Sequence, residues 1–212
     1  MKHTVSDKVY LSVFILAFAL MTPLAHAKKQ TVPDSPEKVK ALQVGQSIPK
    51  VTLKDITDND VQLNKLVQEK PTVLIFYRGG WCPYCNVHLS ELVSIEKDIL
   101  KKGYQIVAIS IDTPEQLKKT LSKNSIQYTL LSDSQAVASK KFGLAFRVDD
   151  ETYKKYIGYG INLEEASGEK HHILPVPAVF LVNQKGKITY SHINPDYKIR
   201  LSTKKILDVI QQ

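Results

Sequence analysis

Two cysteines are all that the 212-residue chain contains, Cys82 and Cys85, three positions apart. A disulfide framework needs more cysteines and wider loops. A bridge between these two closes almost no loop and adds little stability through the unfolded chain. No second CxxC stands elsewhere to complete a four-ligand zinc site. Long apolar runs are also scarce. The longest, Val9 to Met21, has 13 residues and is interrupted by Tyr10 and Ser12, short of the about 20 that a spanning helix needs. No cysteine directly follows this run, so a lipid-anchored product is not expected. Internal repeats and low-complexity bias are absent. The formal charge of +8 is spread over scattered lysines, which reads as a solvated surface and not as a nucleic-acid-binding groove. With 43% apolar and 24% charged residues the composition is that of a soluble globular protein.

What is present begins with an address. Lys2 and Lys8 precede the apolar run, and Ala25-His26-Ala27 follows it with small residues where a signal peptidase reads. Residues 1–27 are therefore expected to be a cleaved export signal. The mature protein would work outside the cytoplasm, periplasmic or secreted, without a stable membrane anchor and where disulfides persist. Residues 28–42 are polar, contain two prolines and read as a tether. Residues 43–212 are long enough for one ordinary domain.

Within that domain, Val51–Leu53 and Val61–Leu63 alternate as a short hairpin would. Thr72 to Tyr77 is a continuous β-branched and aromatic run, as in a strand buried on both faces. After Cys85, Leu89, Leu92, Val93, Ile99 and Leu100 share one helical face, and Gly103 ends that helix. Tyr104–Ile111 is the next buried strand. A helix opens at Pro114 with Asp112 or Thr113 as its cap. Tyr128–Leu131 is a third strand, followed by Asp133 and a helix to about Phe142. An irregular stretch leads to a hairpin of Ala178–Val182 and Lys187–His192, and Leu201–Ile210 closes as an amphipathic helix. The order predicts one α/β domain.

The segment Arg78-Gly79-Gly80-Trp81-Cys82-Pro83-Tyr84-Cys85 joins a buried strand to a helix. A helix N-terminus presents unpaired N–H groups and the positive end of the dipole. A thiolate is the nucleophilic form of cysteine, and this placement lowers its pKa from about 8.5 into the range of about 3.5 to 7.5. Two intervening residues let the sulfurs meet without unwinding the helix, and Pro83 in the first turn loses no hydrogen bond. Tyr84 is expected to cover the pair and Trp81 to pack beside it. His88 lies one turn past Cys85, and His171 and His172 lie upstream of Pro175-Val176-Pro177, so each is a candidate neighbour of the sulfurs. Tyr197 reads as part of a folded loop. The pattern requires no cofactor and no metal.

From about Val44 onward the chain resembles the alkyl hydroperoxide reductase/thiol-specific antioxidant (peroxiredoxin) branch of the thioredoxin superfamily. The resemblance rests on Gly45-Gln46 with Pro49, Phe76-Tyr77 at the strand end, Ala108-Ile109-Ser110-Ile111-Asp112 and Leu131-Ser132-Asp133. It implies a thioredoxin-like fold, a central mixed sheet flanked by helices with a peroxiredoxin-type N-terminal extension. Thioredoxin-like folds place a cis X-Pro loop opposite the CxxC, and Pro177 is the expected residue; the other reading is a trans proline entering a strand.

The departures from that family pattern bear on function. Its Thr-x-x-Cys ends on the peroxide-attacking cysteine, which falls on Cys85 here, while Cys82 replaces the threonine. The proline after the tyrosine is Arg78, and the arginine before the late strand falls on Pro177. Ile75 or a neighbour stands where thioredoxins carry a buried carboxylate. The leading expectation is therefore a thiol–disulfide oxidoreductase that acts on protein or small-molecule thiols and disulfides, with Cys82 attacking and Cys85 releasing. The alternative is a thiol-dependent peroxidase in which Cys85 forms a sulfenic acid that Cys82 resolves, with Arg78 substituting for the lost arginine and an external thiol as reductant. A third reading is a copper(I) chaperone using Cys82, Cys85 and His171 or His172. Export is checked by mass spectrometry of the secreted or periplasmic protein: the mature chain should begin at Lys28, and an intact Met1–Ala27 segment contradicts the signal.

Overall fold

Strand β3 (Thr72–Phe76) has no exposed residue, and the sheet is built around it. The computed structural model describes residues 31–210; the expected export signal lies outside them. A parallel neighbour on one side, β4 (Gln105–Ser110), aligns Ile75 with Ala108. On the other side the antiparallel β8 (Ala178–Val182) aligns Ile75 with Val179. Strands β1 (Thr52–Lys54), β2 (Asp60–Gln62), β5 (Thr129–Ser132) and β9 (Ile188–Ile193) complete a mixed sheet of order β2-β1-β5-β4-β3-β8-β9. The chain thus has the expected thioredoxin-like α/β architecture.

Alternation along β3 divides the core into two layers. Val73, Ile75 and Tyr77 face α2 (Pro83–Lys101), α3 (Pro114–Asn124) and α7 (Thr203–Val209). Leu74 and Phe76 face α1 (Leu63–Glu69) and α4 (Val137–Lys141). In α2, Leu89, Leu92 and Ile99 are buried as their spacing predicts, but Leu100 is 47% exposed. Thr113, not Asp112, caps α3 by accepting from Gln116 N at 3.3 Å.

The stretch after Phe142 is more ordered than its sequence suggests. Strand β6 (Ala145–Arg147) pairs with β7 (Ile173–Pro175), enclosing α5 (Asp150–Gly158) and α6 (Leu163–Ser167). Helix α5 has no fully buried residue, and its inward face is only the half-buried pair Tyr153 and Tyr156, a short signal to read.

Two expectations are corrected. Residues 31–42, the described part of the expected polar tether, lie against the domain. Arg147 N donates to Pro33 O at 2.7 Å and Leu42 N to Phe142 O at 3.0 Å, while Val39, Ala41 and Leu42 join the core between their lysines. Gly143 (φ +69°) permits this approach, since a Cβ there would overlap the Lys40 carbonyl oxygen. Secondly, no cis peptide bond occurs among the described residues, so Pro177 is trans. The chain needs no reversal there. It leaves β7, makes the Val176 N to Leu144 O bond at 2.8 Å and enters β8 extended. At that strand start the missing N–H of Pro177 costs nothing.

Phe180, fully buried on β8, meets Phe142 at 5.7 Å and Phe76 edge-on at 6.2 Å between ring centroids. Phe180→Ala should lower the free energy of unfolding in urea by about 3–5 kcal/mol; a loss below 1 kcal/mol contradicts this core assignment.

Candidate active site

The strand-to-helix connection is held from both ends. Tyr77 N donates to Ile109 O at 3.0 Å, and Cys82 N turns back to Gly79 O at 3.1 Å. Neither glycine of the loop tolerates a side chain: a Cβ on Gly79 would overlap the Trp81 indole, and one on Gly80 would overlap the Thr120 hydroxyl. Asn86 Nδ2 donates to Gly80 O at 2.8 Å and is itself held by Asn124 at 3.1 Å. Cys82 is the N-cap of α2 and Pro83 its first residue. The Cys82 carbonyl accepts from Cys85 N and Asn86 N, each at 3.1 Å.

Both cysteines are free thiols and both are 1% exposed. Neither sulfur-bearing residue is therefore more open to solvent than the other. A hydrogen bond from Cys85, helped by the Arg78 and Arg200 guanidinium charges, holds Cys82 down at about 6 despite its burial. Burial and the negative charge on Cys82 push Cys85 well up, opposed by Arg200 and the Arg78 backbone N–H. The pair thus carries one negative charge at neutral pH, with the remaining proton on Cys85.

Two arginines surround that charge. Arg78 is 4% exposed. Its guanidinium lies 4.1 Å from the Tyr197 ring centroid, 4.9 Å from Trp81 and 5.4 Å from Tyr156, and it donates to the Tyr156 hydroxyl. Arg200, in the loop before α7, points Nη2 at Cys85 Sγ from 3.4 Å. No carboxylate pairs with either arginine among the described residues.

Asp112, just past the end of β4, is 1% exposed and accepts from Gly80 N at 2.7 Å. Burial, joined by repulsion from Cys82, raises it to about 7. A carboxyl group therefore does support the redox loop, supplied from β4 and not from β3.

The other expected residues separate into neighbours and bystanders. Trp81 packs on Tyr156 at 5.9 Å. Tyr84 is 45% exposed, and its ring meets Tyr197 edge-on at 5.7 Å. Tyr197, expected only in a loop, is part of the site. Pro177 lines a small cavity with His88 and Arg200. His171 and His172 are engaged elsewhere, the first with Ser134 O at 2.7 Å, the second with Glu164 at 2.9 Å and stacked on Tyr153. No three His, Cys, Asp or Glu side chains cluster as a metal site among the described residues, so neither histidine of the third, copper(I) reading joins the sulfurs.

Sequence reasoning missed Arg200, Tyr156 and the role of Asp112. The position of Asp112 before Pro114 suggested a helix cap. Arg200 lies 115 residues from its sulfur in an aperiodic loop, and no local signal marks it. The charge assignment predicts a thiolate ultraviolet absorbance that rises with pH through a midpoint of about 6. Arg78→Met should move that midpoint upward, leaving less thiolate at pH 7; an unchanged midpoint contradicts the role of Arg78.

Comparison with known proteins agrees with this geometry. Residues 44–191 match the AhpC/TSA family. A thioredoxin-like protein of Haemophilus influenzae is 28% identical over 62% of this chain and 70% of its own length. Peroxiredoxin Bcp of Escherichia coli is 30% identical over 49% of this chain and 65% of its own. Among solved structures, reduced Prx3 of Vibrio vulnificus in complex with hydrogen peroxide superposes with a TM-score of 0.66, at 18% identity, covering 80% of this chain and 99% of that one. Peroxidoxin BcpB of Mycobacterium tuberculosis superposes at 0.62, with 20% identity over 80% and 97% of the two chains. With its paired thiols at a helix start on a thioredoxin-like sheet, the chain belongs to the AhpC/TSA family, the peroxiredoxin-like branch of the thioredoxin superfamily.

Proposed function

We propose that the protein is an exported thiol-dependent peroxidase in which Cys85 is oxidised and Cys82 resolves it. The carrying observation is the Arg200 guanidinium at 3.4 Å from Cys85 Sγ. The sequence placed proline where the family carries its arginine; Arg200 brings an equivalent charge from a different loop. Burial favours a small substrate as well. At 1% exposure neither sulfur is reachable by a protein disulfide without displacement of the surrounding groups, whereas hydroperoxides are only a few atoms across.

The cycle uses the single charge of the pair. The Cys82 thiolate accepts the Cys85 proton across their hydrogen bond, and Arg200 offsets the charge that arrives on Cys85. The Cys85 thiolate attacks one peroxide oxygen, the O–O bond breaks, and the leaving oxygen takes the proton now on Cys82. This leaves a sulfenic acid on Cys85 and a thiolate on Cys82. Cys82 then attacks the Cys85 sulfur, forming the disulfide and expelling hydroxide, which is protonated to water. Two equivalents of an external thiol restore the dithiol and leave as a disulfide. Arg200 stabilises both the attacking thiolate and, on re-reduction, the departing one.

Exchange with small disulfides is the second reading, favoured by the low pKa of Cys82, which would be the attacking sulfur. Single-cysteine variants separate the two. Cys82→Ser removes the acceptor of the Cys85 proton but also the negative charge that pushes Cys85 up, so it should still yield a dimedone-trappable sulfenic acid with one equivalent of hydrogen peroxide, more slowly than the wild type. Cys85→Ser should react roughly 100-fold more slowly or less, having lost the sulfur served by Arg200. A fast sulfenic acid on Cys85→Ser exchanges the roles. Slow reaction of both variants and of the wild type, with rapid exchange of small disulfides, supports the second reading instead.

A further inference from the structure

Beside the redox loop lies a cleft of about 240 Å³ that shares no residue with the small cavity at Arg200. Gly80 and Trp81, the residues immediately before Cys82, form its inner wall, and the buried Asp112 its floor. Helix α3 lines one side with Gln116, Lys119 and Lys123, spaced to share one helical face. The start of α6 adds Asn162 and Glu165. Lys123 and Glu165 join no ion pair among the described residues, and Lys119 has only an exposed one, with Glu115 at 3.0 Å. Exposed pairs are worth about 0–1 kcal/mol, so a ligand can take Lys119 over. Two groups behind the inner wall are also unsatisfied. Asp112 Oδ1 and Trp81 Nε1 are buried without a partner, and both would touch a Cβ on Gly79, so they are neighbours. Buried polar groups normally find a partner. The indole N–H therefore has no hydrogen bond to lose when Trp81 moves.

We infer that this cleft binds the thiol that re-reduces the protein, and that this thiol is a molecule of amino-acid or short-peptide size carrying carboxylates and an ammonium group. The inference rests on the thiol-dependent cycle above and specifies its reductant. The volume lies near the lower end of small-molecule clefts, about 300–1,000 Å³, which suits a ligand of that size. Two lysines on one helical face match carboxylates, and Glu165 matches an ammonium group. In the oxidised protein the bound thiol displaces the Trp81 indole and meets Asp112 Oδ1, which takes its proton. The thiolate attacks Cys82 Sγ, the Cys82–Cys85 bond breaks, and the electron pair goes to Cys85, beside Arg200. Cys85 takes up a proton, in balance with the one that Asp112 releases. A second thiol attacks the sulfur just added, loses its proton, leaves as the small disulfide and returns Cys82 as the thiolate.

The test is stopped-flow reduction of the diamide-oxidised protein, followed through the fluorescence of Trp81, the one tryptophan of the chain. Glutathione, with two carboxylates and one ammonium group, is compared with the uncharged 2-mercaptoethanol. The rate with glutathione should saturate as its concentration rises, and the rate with 2-mercaptoethanol should stay linear. Lys119→Gln combined with Lys123→Gln should lower the second-order rate constant for glutathione about 10-fold and leave that for 2-mercaptoethanol unchanged. Lys97→Gln combined with Lys101→Gln removes the same charge at the other end of α2 and should change neither. A glutathione rate that stays linear, or equal losses in the two double variants, overturns the cleft as the reductant site. Diamide forms the disulfide without peroxide, so this result is independent of the peroxidase reading, which the single-cysteine variants test on their own.

Discussion

A single negative charge shared by two buried sulfurs, with a guanidinium on each side, is the constraint that the rest of the site serves. A thiolate in a low-dielectric interior is costly unless cations or donors compensate it. Here Arg78 acts chiefly on Cys82 and Arg200 contacts Cys85. Neither arginine is paired to a carboxylate among the described residues, so their charge is directed to the sulfurs and aromatic rings. The rings of Trp81, Tyr156 and Tyr197 stabilise Arg78 through their faces without neutralising it.

Much of the fold exists to hold this arrangement. The end of β3 delivers Arg78, the start of α2 delivers the cysteines, and α5 carries Tyr156 to the guanidinium. The loop between β9 and α7 brings both Tyr197 and Arg200. Asp112 anchors the loop backbone through Gly80 and, with its pKa near 7, gains charge over the same range in which the pair works. Removal of the Gly79 or Gly80 hydrogen in favour of a methyl group would displace Trp81 or Thr120 and loosen the loop.

The sequence was most informative where structure is local. A run such as Thr72 to Tyr77 can only be a buried strand, and a CxxC between that strand and an amphipathic helix implies dithiol chemistry. It was least informative where charge arrives from a distance. Pro177 stands where the resemblance places an arginine, and position along the chain stands in for position in space only where the backbone path is shared. Arg200 reaches the sulfur from another loop. Likewise α5 has no fully buried residue; only Tyr153 and Tyr156, half-buried, turn from it toward the core. Nor did the sequence show the β6–β7 pair that precedes the trans Pro177, since it consists of two three-residue strands.

The pairing of Arg200 with Cys85 is the claim on which the functional account rests. Its most direct test is the single-turnover rate of the reduced protein with hydrogen peroxide, followed by stopped flow in the wild type and in Arg200→Met. The account predicts a fall of about 10²–10³-fold, the usual loss on removing one group that stabilises developing charge, with both thiols still present and the Cys82 midpoint still well below 9. A rate unchanged within about twofold, a barrier change under 1 kcal/mol, would contradict it.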